Sequence, residues 1–427
     1  MILSVRGNQF VADGDPVLLR GVGLASWLNL EHFLLGMPGT ETEIRSALGS
    51  AYGEAAAESF WRAYRERFVA DEDLAFLVEL GFNCLRLPVN ARAFEQGEGG
   101  FERSVAALEL ERVLGLCQRR GLFCVIDLHS VPGGQNPDWH CDNASGDYLF
   151  FRNGDFRARV VGLWERIARH FKGHPALVGY DLVNEPHYFE KSLDAVLVRF
   201  YMDCIEAIRR VDDGPIIILE GNTYARDFSM IERNLDANLA YSFHYYPFLQ
   251  LSGQLQDGAL EGRIQASLFK DVTLQHLQER LGRPIWCGET GHPLHQLDSI
   301  RALGTLLELL EGMGISWSLW PHKDARAMAL CYPRESSRYL SLVNRASAGW
   351  SFWDFLKQDT AQTTQNDSDK HAFYRRLAAA STEANRRFAQ GLAEIPFEAL
   401  LASLDDWRID RCERNEALLR CLPRGRA

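Results

Sequence analysis

Eight short apolar runs, separated by stretches with helical spacing, restrict this chain more than any other feature. They are Leu18–Gly23, Phe82–Val89, Leu122–His129, Leu177–Asn184, Pro215–Gly221, Leu239–Tyr245, Pro284–Glu289 and Ile315–Trp320. Most are continuously apolar, as in LFCVIDL and PIIILE. Strands with one wet face alternate apolar and polar residues, whereas strands buried on both faces read like these. Between them, Phe156, Val160, Leu163, Trp164, Ile167 and Phe171 follow the 3.6-residue period behind Asp155, a candidate cap. Ala106, Leu110, Val113, Leu114 and Cys117 form a similar stripe, as do Leu193, Leu197, Phe200, Cys204 and Ile208. Strand alternating with helix implies parallel βα units, and eight units imply closure into a (β/α)₈ barrel. Such a barrel also accommodates 427 residues without a linker. In the fifth unit only Asp227–Arg233 is available as a helix. Residues 371–392 read as the last barrel helix. The expected organisation is an α/β chain: a (β/α)₈ catalytic barrel over 1–392 with long active-face loops, and a C-terminal helical tail over 393–427 on or near it.

A formal net charge of −11 disfavours nucleic acid and anionic membrane as partners, and suits a neutral small molecule. No stretch approaches the roughly 20 apolar residues that span a bilayer. The first residues carry no signal-peptide pattern. The nine cysteines are odd in number and scattered, with Cys84, Cys124 and Cys287 inside apolar runs. A reduced, cytoplasmic protein is the expectation.

In a barrel of this kind the chemistry sits where strands end. The second run carries Arg86, the third ends on His129 and the fourth on Asn184 and Glu185. The sixth leads to His244 and Tyr246, the seventh ends on Glu289 and the eighth on Trp320. A polar group at the end of an apolar strand loses hydration unless it is paired or used. Taken singly, each has a plain structural reading: a glutamate as a cap, a histidine satisfied in the core, a tryptophan as packing. Six strands ending this way on one rim point to a catalytic site. Two carboxyl groups, Glu185 and Glu289, suit glycoside hydrolysis, with Glu185 as general acid/base and Glu289 as nucleophile, about 5–5.5 Å apart. The acid requires a raised pKa, and the nucleophile requires a cation and donors, for which Arg86 and Tyr246 are available. No His-x-His or comparable ligand spacing occurs, so no metal or organic cofactor is expected.

Arg86, His129, Asn184, Glu185, His244, Tyr246, Glu289 and Trp320 occur in an order that resembles glycoside hydrolase family 5, the cellulase-like retaining glycosidases, over residues 18–325. The resemblance implies a glycosyl-enzyme intermediate, Asn184 on the sugar 2-hydroxyl, Trp320 stacked on the sugar, and Arg86 and His129 supporting the nucleophile. Asp127-Leu128-His129-Ser130-Val131-Pro132-Gly133-Gly134-Gln135-Asn136 is similar to a stretch of the family's exo-β-1,3-glucanases. The insertion Leu30–Asp71 is unlike the short loops of the family's cellulases. Long loops after the first, third, sixth and eighth runs build walls, and walls make a pocket that admits a chain end. Trp27, Trp139, His140 and Phe248 lie in those loops, and Asn136 joins the candidate substrate-binding set. The expected activity is exo-cleavage of β-glucosidic bonds in small glucans, oligosaccharides or glucosides. The alternatives are β-mannoside or glycolipid cleavage, a carbohydrate-binding pseudoenzyme, and a metal-dependent barrel hydrolase.

Overall fold

The computed structural model describes residues 3–97, 99–251, 255, 259–294, 296–350 and 367–423. Eight parallel strands close a barrel: β1 (Arg20–Gly23), β2 (Cys84–Asn90), β3 (Phe123–Ser130), β4 (Leu177–Asp181), β5 (Ile216–Glu220), β6 (Leu239–His244), β7 (Ile285–Thr290) and β8 (Ser316–Leu319). Each apolar run supplies one strand, in order, and β8 pairs with β1 through Trp317↔Arg20 and Leu319↔Val22. Among the described residues no helix is long and apolar enough to cross a membrane.

Alternation along each strand stacks the barrel interior in layers. The bottom layer is apolar, with Cys84, Val125, Ile218, Ala240 and Trp286 in one buried cluster. Leu3 and Phe10 of a small antiparallel sheet (Leu3–Arg6, Gln9–Ala12, Asp15–Pro16) join that cluster and plug the barrel floor. Two residues further along the same strands stand Arg86, Asp127, Glu220 and Ser242, all fully buried. Two further again, His129 and His244 reach the mouth. The same period that makes the strands apolar at their start therefore delivers charge at their end.

The helices form where the apolar stripes lie: Val105–Arg120, Gly154–Phe171 and Asp194–Arg209. The cap of the second is Asn153 rather than Asp155, because the Asn153 side chain accepts from the Asp155 backbone N–H. The fifth unit has no helix at Asp227–Arg233; those residues form turns and bends. Thr223, Tyr224 and Ala225 before them all have positive φ, at 59°, 56° and 58°. Three consecutive left-handed residues without glycine turn the chain back over the barrel mouth.

The insertion Leu30–Asp71 folds into a short helical turn, His32–Leu35, and two longer helices, Glu41–Tyr52 and Glu54–Phe68, the first of these opened by a capping box of Thr40 and Glu43. It buttresses the helix Asp367–Leu392. Asn385 donates to the Pro38 carbonyl at 2.7 Å, and Tyr52 donates to the Leu392 carbonyl at 2.8 Å. Residues 371–392 are thus not a helix of the outer ring. They pack on the insertion and on Arg338–Ala346, with Phe373, Tyr374 and Leu377 at the barrel mouth. Nearer the C-terminus, Glu416–Cys421 packs against Leu297–Gly312 on the ring itself.

Trp27, expected in the pocket, lies elsewhere. Leu28 pairs with Val89 at the barrel wall, so Trp27 points outward, fully buried in the main core, and donates to Glu109 at 3.3 Å. Trp27→Ala should therefore lower stability by about 3–5 kcal/mol, on the scale of large core deletions. Urea unfolding would read the loss, while the affinity of the pocket, which Trp27 does not touch, should stay within twofold.

Candidate active site

Arg86 occupies the middle of the barrel with no solvent exposure. Its guanidinium meets four carboxylates: Asp127 at 3.2 Å, Asp181 at 3.0 Å, Glu220 at 3.1 Å and Glu289 at 2.5 Å. It also donates to the Asn184 amide oxygen at 2.8 Å. Donors in one rigid plane reach acceptors from four strands at once, which a lysine ammonium does not do. Glu289 accepts a second hydrogen bond from the Tyr246 hydroxyl at 2.9 Å. Burial and the charges of Glu289 and Glu185 push the Tyr246 phenol well above its ordinary range, so it remains a donor.

Glu185 has a positive φ of 47°, a conformation that costs a non-glycine residue about 1–3 kcal/mol. Two contacts hold it there. Its backbone N–H donates to Glu220 at 2.6 Å, and its carbonyl accepts from Asn136 at 2.9 Å. Its carboxylate then faces two imidazoles, His244 Nδ1 at 2.7 Å and His140 Nε2 at 3.1 Å. The His244 Nδ1 also stands 3.5 Å from Glu289. One oxygen each of Glu185 and Glu289 and one nitrogen of His244 lie within 4.8 Å of one another. A Cβ on Gly288 would meet the Ser242 hydroxyl at 2.2 Å, so the glycine before Thr290 and Glu289 in CGET makes room for this crowding.

Protonation in the cluster departs from the expectation. Burial pushes Glu185 up, but the hydrogen bonds and charges of His140 and His244 outweigh it and hold the carboxyl well below the ordinary range. Burial alone would lower the two imidazoles. The Glu185 hydrogen bond and the charges of Glu185, Asp138 and Glu31 instead bring His140 up to about 9. Glu220 and Glu289 similarly raise His244 well above its usual value. Burial also lifts Asp127 to about 8 and Asp181 well above a carboxylate's range despite Arg86. His129, lowered to about 3 by burial, is neutral, with Nδ1 2.7 Å from Asp127 and its ring stacked on Trp320 at 5.1 Å.

These groups floor a pocket of about 330 Å³. Of the expected residues, His129, Glu185, His244, Tyr246, Glu289, Trp320 and Trp139 line it, and so do His140 and Phe248. Arg86, Asn184 and Asn136 are fully buried beneath or behind it and do not line it. Arg86 and Asn184 are occupied with each other, and the amide of Asn184 stands 3.3 Å from His129. Asn136 holds the Glu185 carbonyl. The sequence reading missed Glu31, Asp138, Tyr224, Arg226 and the helix residues Phe373, Tyr374 and Leu377. Asp181 and Glu220 carried a usable signal, since each ends an apolar strand. Phe373 and Tyr374 carried none, because their stripe looks like that of any ring helix. Tyr224 and Tyr374 share a 2.6 Å hydrogen bond between hydroxyls across the mouth, and His187 stacks beneath Tyr224 at 4.4 Å.

Residues 45–326 match the family model described as cellulase, glycosyl hydrolase family 5. A β-xylosidase of Phanerodontia chrysosporium is 34% identical over 368 residues, covering 80% of this chain and 74% of the relative. A probable glucan 1,3-β-glucosidase A of Emericella nidulans is 24% identical, covering 70% of each chain. Among solved structures, a rutinosidase from Aspergillus niger superposes with a TM-score of 0.58 at 16% identity, over 72% of this chain and 90% of the other. A β-glucanase from Saccharophagus degradans does so with 0.53 at 17% identity, over 89% and 94%. At these identities the structures speak for the barrel alone, whereas the family match spans more than half of the chain. The protein belongs to glycosyl hydrolase family 5 and is a retaining O-glycosyl hydrolase.

Proposed function

We propose that Glu289 is the nucleophile and Glu185 the acid/base in exo-hydrolysis of β-glucosidic bonds in short glucans, oligosaccharides or glucosides. The observation that carries the roles is the approach of the two carboxylates within 4.8 Å, with Glu289 aimed by Arg86 and Tyr246. A retaining pair sits this close, since no water has to fit between nucleophile and anomeric carbon in the first step. Glu289 attacks that carbon while the glycosidic oxygen leaves with a proton from Glu185. Water then displaces Glu289, and Glu185 takes the proton from the water. The exo reading is supported by the walls. A volume of about 330 Å³ is at the small end for ligand pockets and suits one or two sugar units. Tyr224 and Tyr374 close one side by a direct hydrogen bond, which a through-running chain would have to break.

A second sugar is favoured by one observation: the relative named a β-xylosidase aligns over 80% of this chain. A β-xyloside would leave the mechanism unchanged and lack only the hydroxymethyl arm. Initial rates on matched aryl β-glucosides, β-xylosides and β-mannosides decide the sugar. Higher kcat/KM on the xyloside or mannoside would discard the gluco assignment while keeping both glutamates in their roles.

Glu185→Gln and Glu289→Gln should each retain the fold, and Glu289→Gln should lose at least about 10⁴-fold in kcat. Retention of a tenth of wild-type activity by either variant would overturn the assignment. Azide should rescue Glu185→Ala on a substrate with a good leaving group, whereas rescue of Glu289→Ala instead would exchange the two roles. Proton NMR of fresh product should show the β-anomer first. Trp139→Ala should raise KM more than it lowers kcat, because Trp139 lines the pocket stacked on His32 at 4.4 Å. A rapid fall in viscosity of a soluble β-glucan would contradict exo action.

A further inference from the structure

We propose that His140 is the proton reservoir of the acid/base, passing its Nε2 proton to Glu185 as the leaving group departs and recovering it when water is activated. This rests on the roles proposed above for Glu185 and Glu289. Each oxygen of Glu185 faces an imidazole, but the two rings differ. His244 stands among carboxylates: its Nδ1 is hydrogen-bonded to Glu185 at 2.7 Å and lies 3.5 Å from Glu289, and its Nε2 stands 3.0 Å from Glu220. Both of its nitrogens face carboxylates. His140 meets Glu185 through Nε2 at 3.1 Å, its Nδ1 stands 3.9 Å from Asp138, and its ring lines the pocket.

Asn136 stabilises the state in which His140 has given up its proton. Its amide nitrogen donates to the Glu185 carbonyl at 2.9 Å and stands 3.0 Å from His140 Nε2. With the proton on His140, Nε2 donates to Glu185. With the proton on Glu185, Nε2 becomes an acceptor, and the second amide hydrogen of Asn136 is in place beside it. Both amide hydrogens of Asn136 are accepted only when Nε2 is unprotonated, so the hydrogen bond gained there offsets part of the cost of taking the proton from His140. The groups facing His140 are Glu185 after β4, Asp138 on its own loop and Glu31 and His32 after β1. Among the described residues His129 on β3 and Tyr224 after β5 also stand near it, at ring distances of 6.1 Å and 6.2 Å. The acidic groups among them account for the rise of His140 to about 9. Glu185 itself is held low, so at neutral pH the proton that it must deliver resides on a neighbour.

The protons balance over a turnover. As Glu289 bonds to the anomeric carbon and the glycosidic bond breaks, the Nε2 proton of His140 passes through Glu185 to the leaving oxygen, so that Glu185 is again an ionised carboxylate. The imidazole is then neutral. As water bonds to the anomeric carbon and the bond to Glu289 breaks, a proton of that water passes to Glu185 and on to His140. One water is consumed and His140 ends as it began.

The test is the pH profile of kcat/KM on aryl β-glycosides of graded leaving-group ability, with wild type, His140→Gln and Asp138→Asn. His140 carries its proton below about 9 and loses it as pH rises through that value, so the wild-type basic limb should lie near 9. In His140→Gln the limb should move down by at least about one pH unit. Rates on a phenyl glycoside should fall by about 10²-fold or more, and glycosylation by a dinitrophenyl glycoside less than about tenfold. Asp138→Asn, which leaves both groups in place, should shift the limb in the same direction by less. A rate loss equal at every pH with the limb unmoved would reduce His140 to a structural contact and overturn the proposal. Nitrogen NMR gives a readout without turnover: His140 should titrate near 9, and markedly lower in Glu185→Gln. Titration near the ordinary histidine value in both would also overturn it. An inactive wild type on every aryl β-glycoside would instead defeat the proposed function, leaving the NMR result to stand alone.

Discussion

The site depends on one buried cation. Arg86 has four carboxylates and one amide oxygen within hydrogen-bond reach, drawn from β3, β4, β5, β7 and the turn after β4. A guanidinium removed from water pays several kcal/mol of desolvation, which a single partner does not reliably offset. Several partners at good geometry do, and in return the cation fixes where each strand end can stand. Removing it would leave acids crowded in the barrel with no counter-charge. Two of them, Asp127 and Asp181, already have raised affinity for protons. Arg86 is therefore better regarded as the keystone of the barrel interior than as a residue that meets substrate.

The layer above inherits its order from this one. Glu220 touches Arg86 and His244 and accepts the backbone N–H of Glu185, so one carboxylate ties the cation, an imidazole and Glu185 together. That last contact also stabilises a strained φ at Glu185, which turns its side chain toward Glu289. Position and electrostatics are coupled here: the imidazoles that face Glu185 also hold its carboxyl below the ordinary range.

The pocket walls come from outside the βα repeat. The insertion after β1 supports the helix Asp367–Leu392, more than 300 residues later in the chain, and that helix contributes Tyr374 to a bridge with Tyr224. Tyr224 stands on the left-handed turn that replaces a helix in the fifth unit. Where the repeat is broken, the chain has used the freedom to close the mouth.

The amino-acid sequence by itself determined the barrel and the identity of the strand-end groups. Continuous apolar runs can only be buried on both faces, and their polar last residues can only face the open rim. That logic located Glu185, Glu289, His129, His244, Tyr246 and Trp320 without coordinates. Its local rules misjudged the cap at Asn153, the turn at Asp227–Arg233 and the outward direction of Trp27, where neighbouring pairing overrides propensity. Tertiary structure alone decided that Arg86, Asn184 and Asn136 lie behind the pocket, that the stripe of residues 371–392 turns onto the mouth, and that His140 reaches Glu185. An amphipathic stripe states that a face is covered but not by what. A side chain's proton affinity depends on charges from strands far apart in sequence, which meet only when the barrel closes.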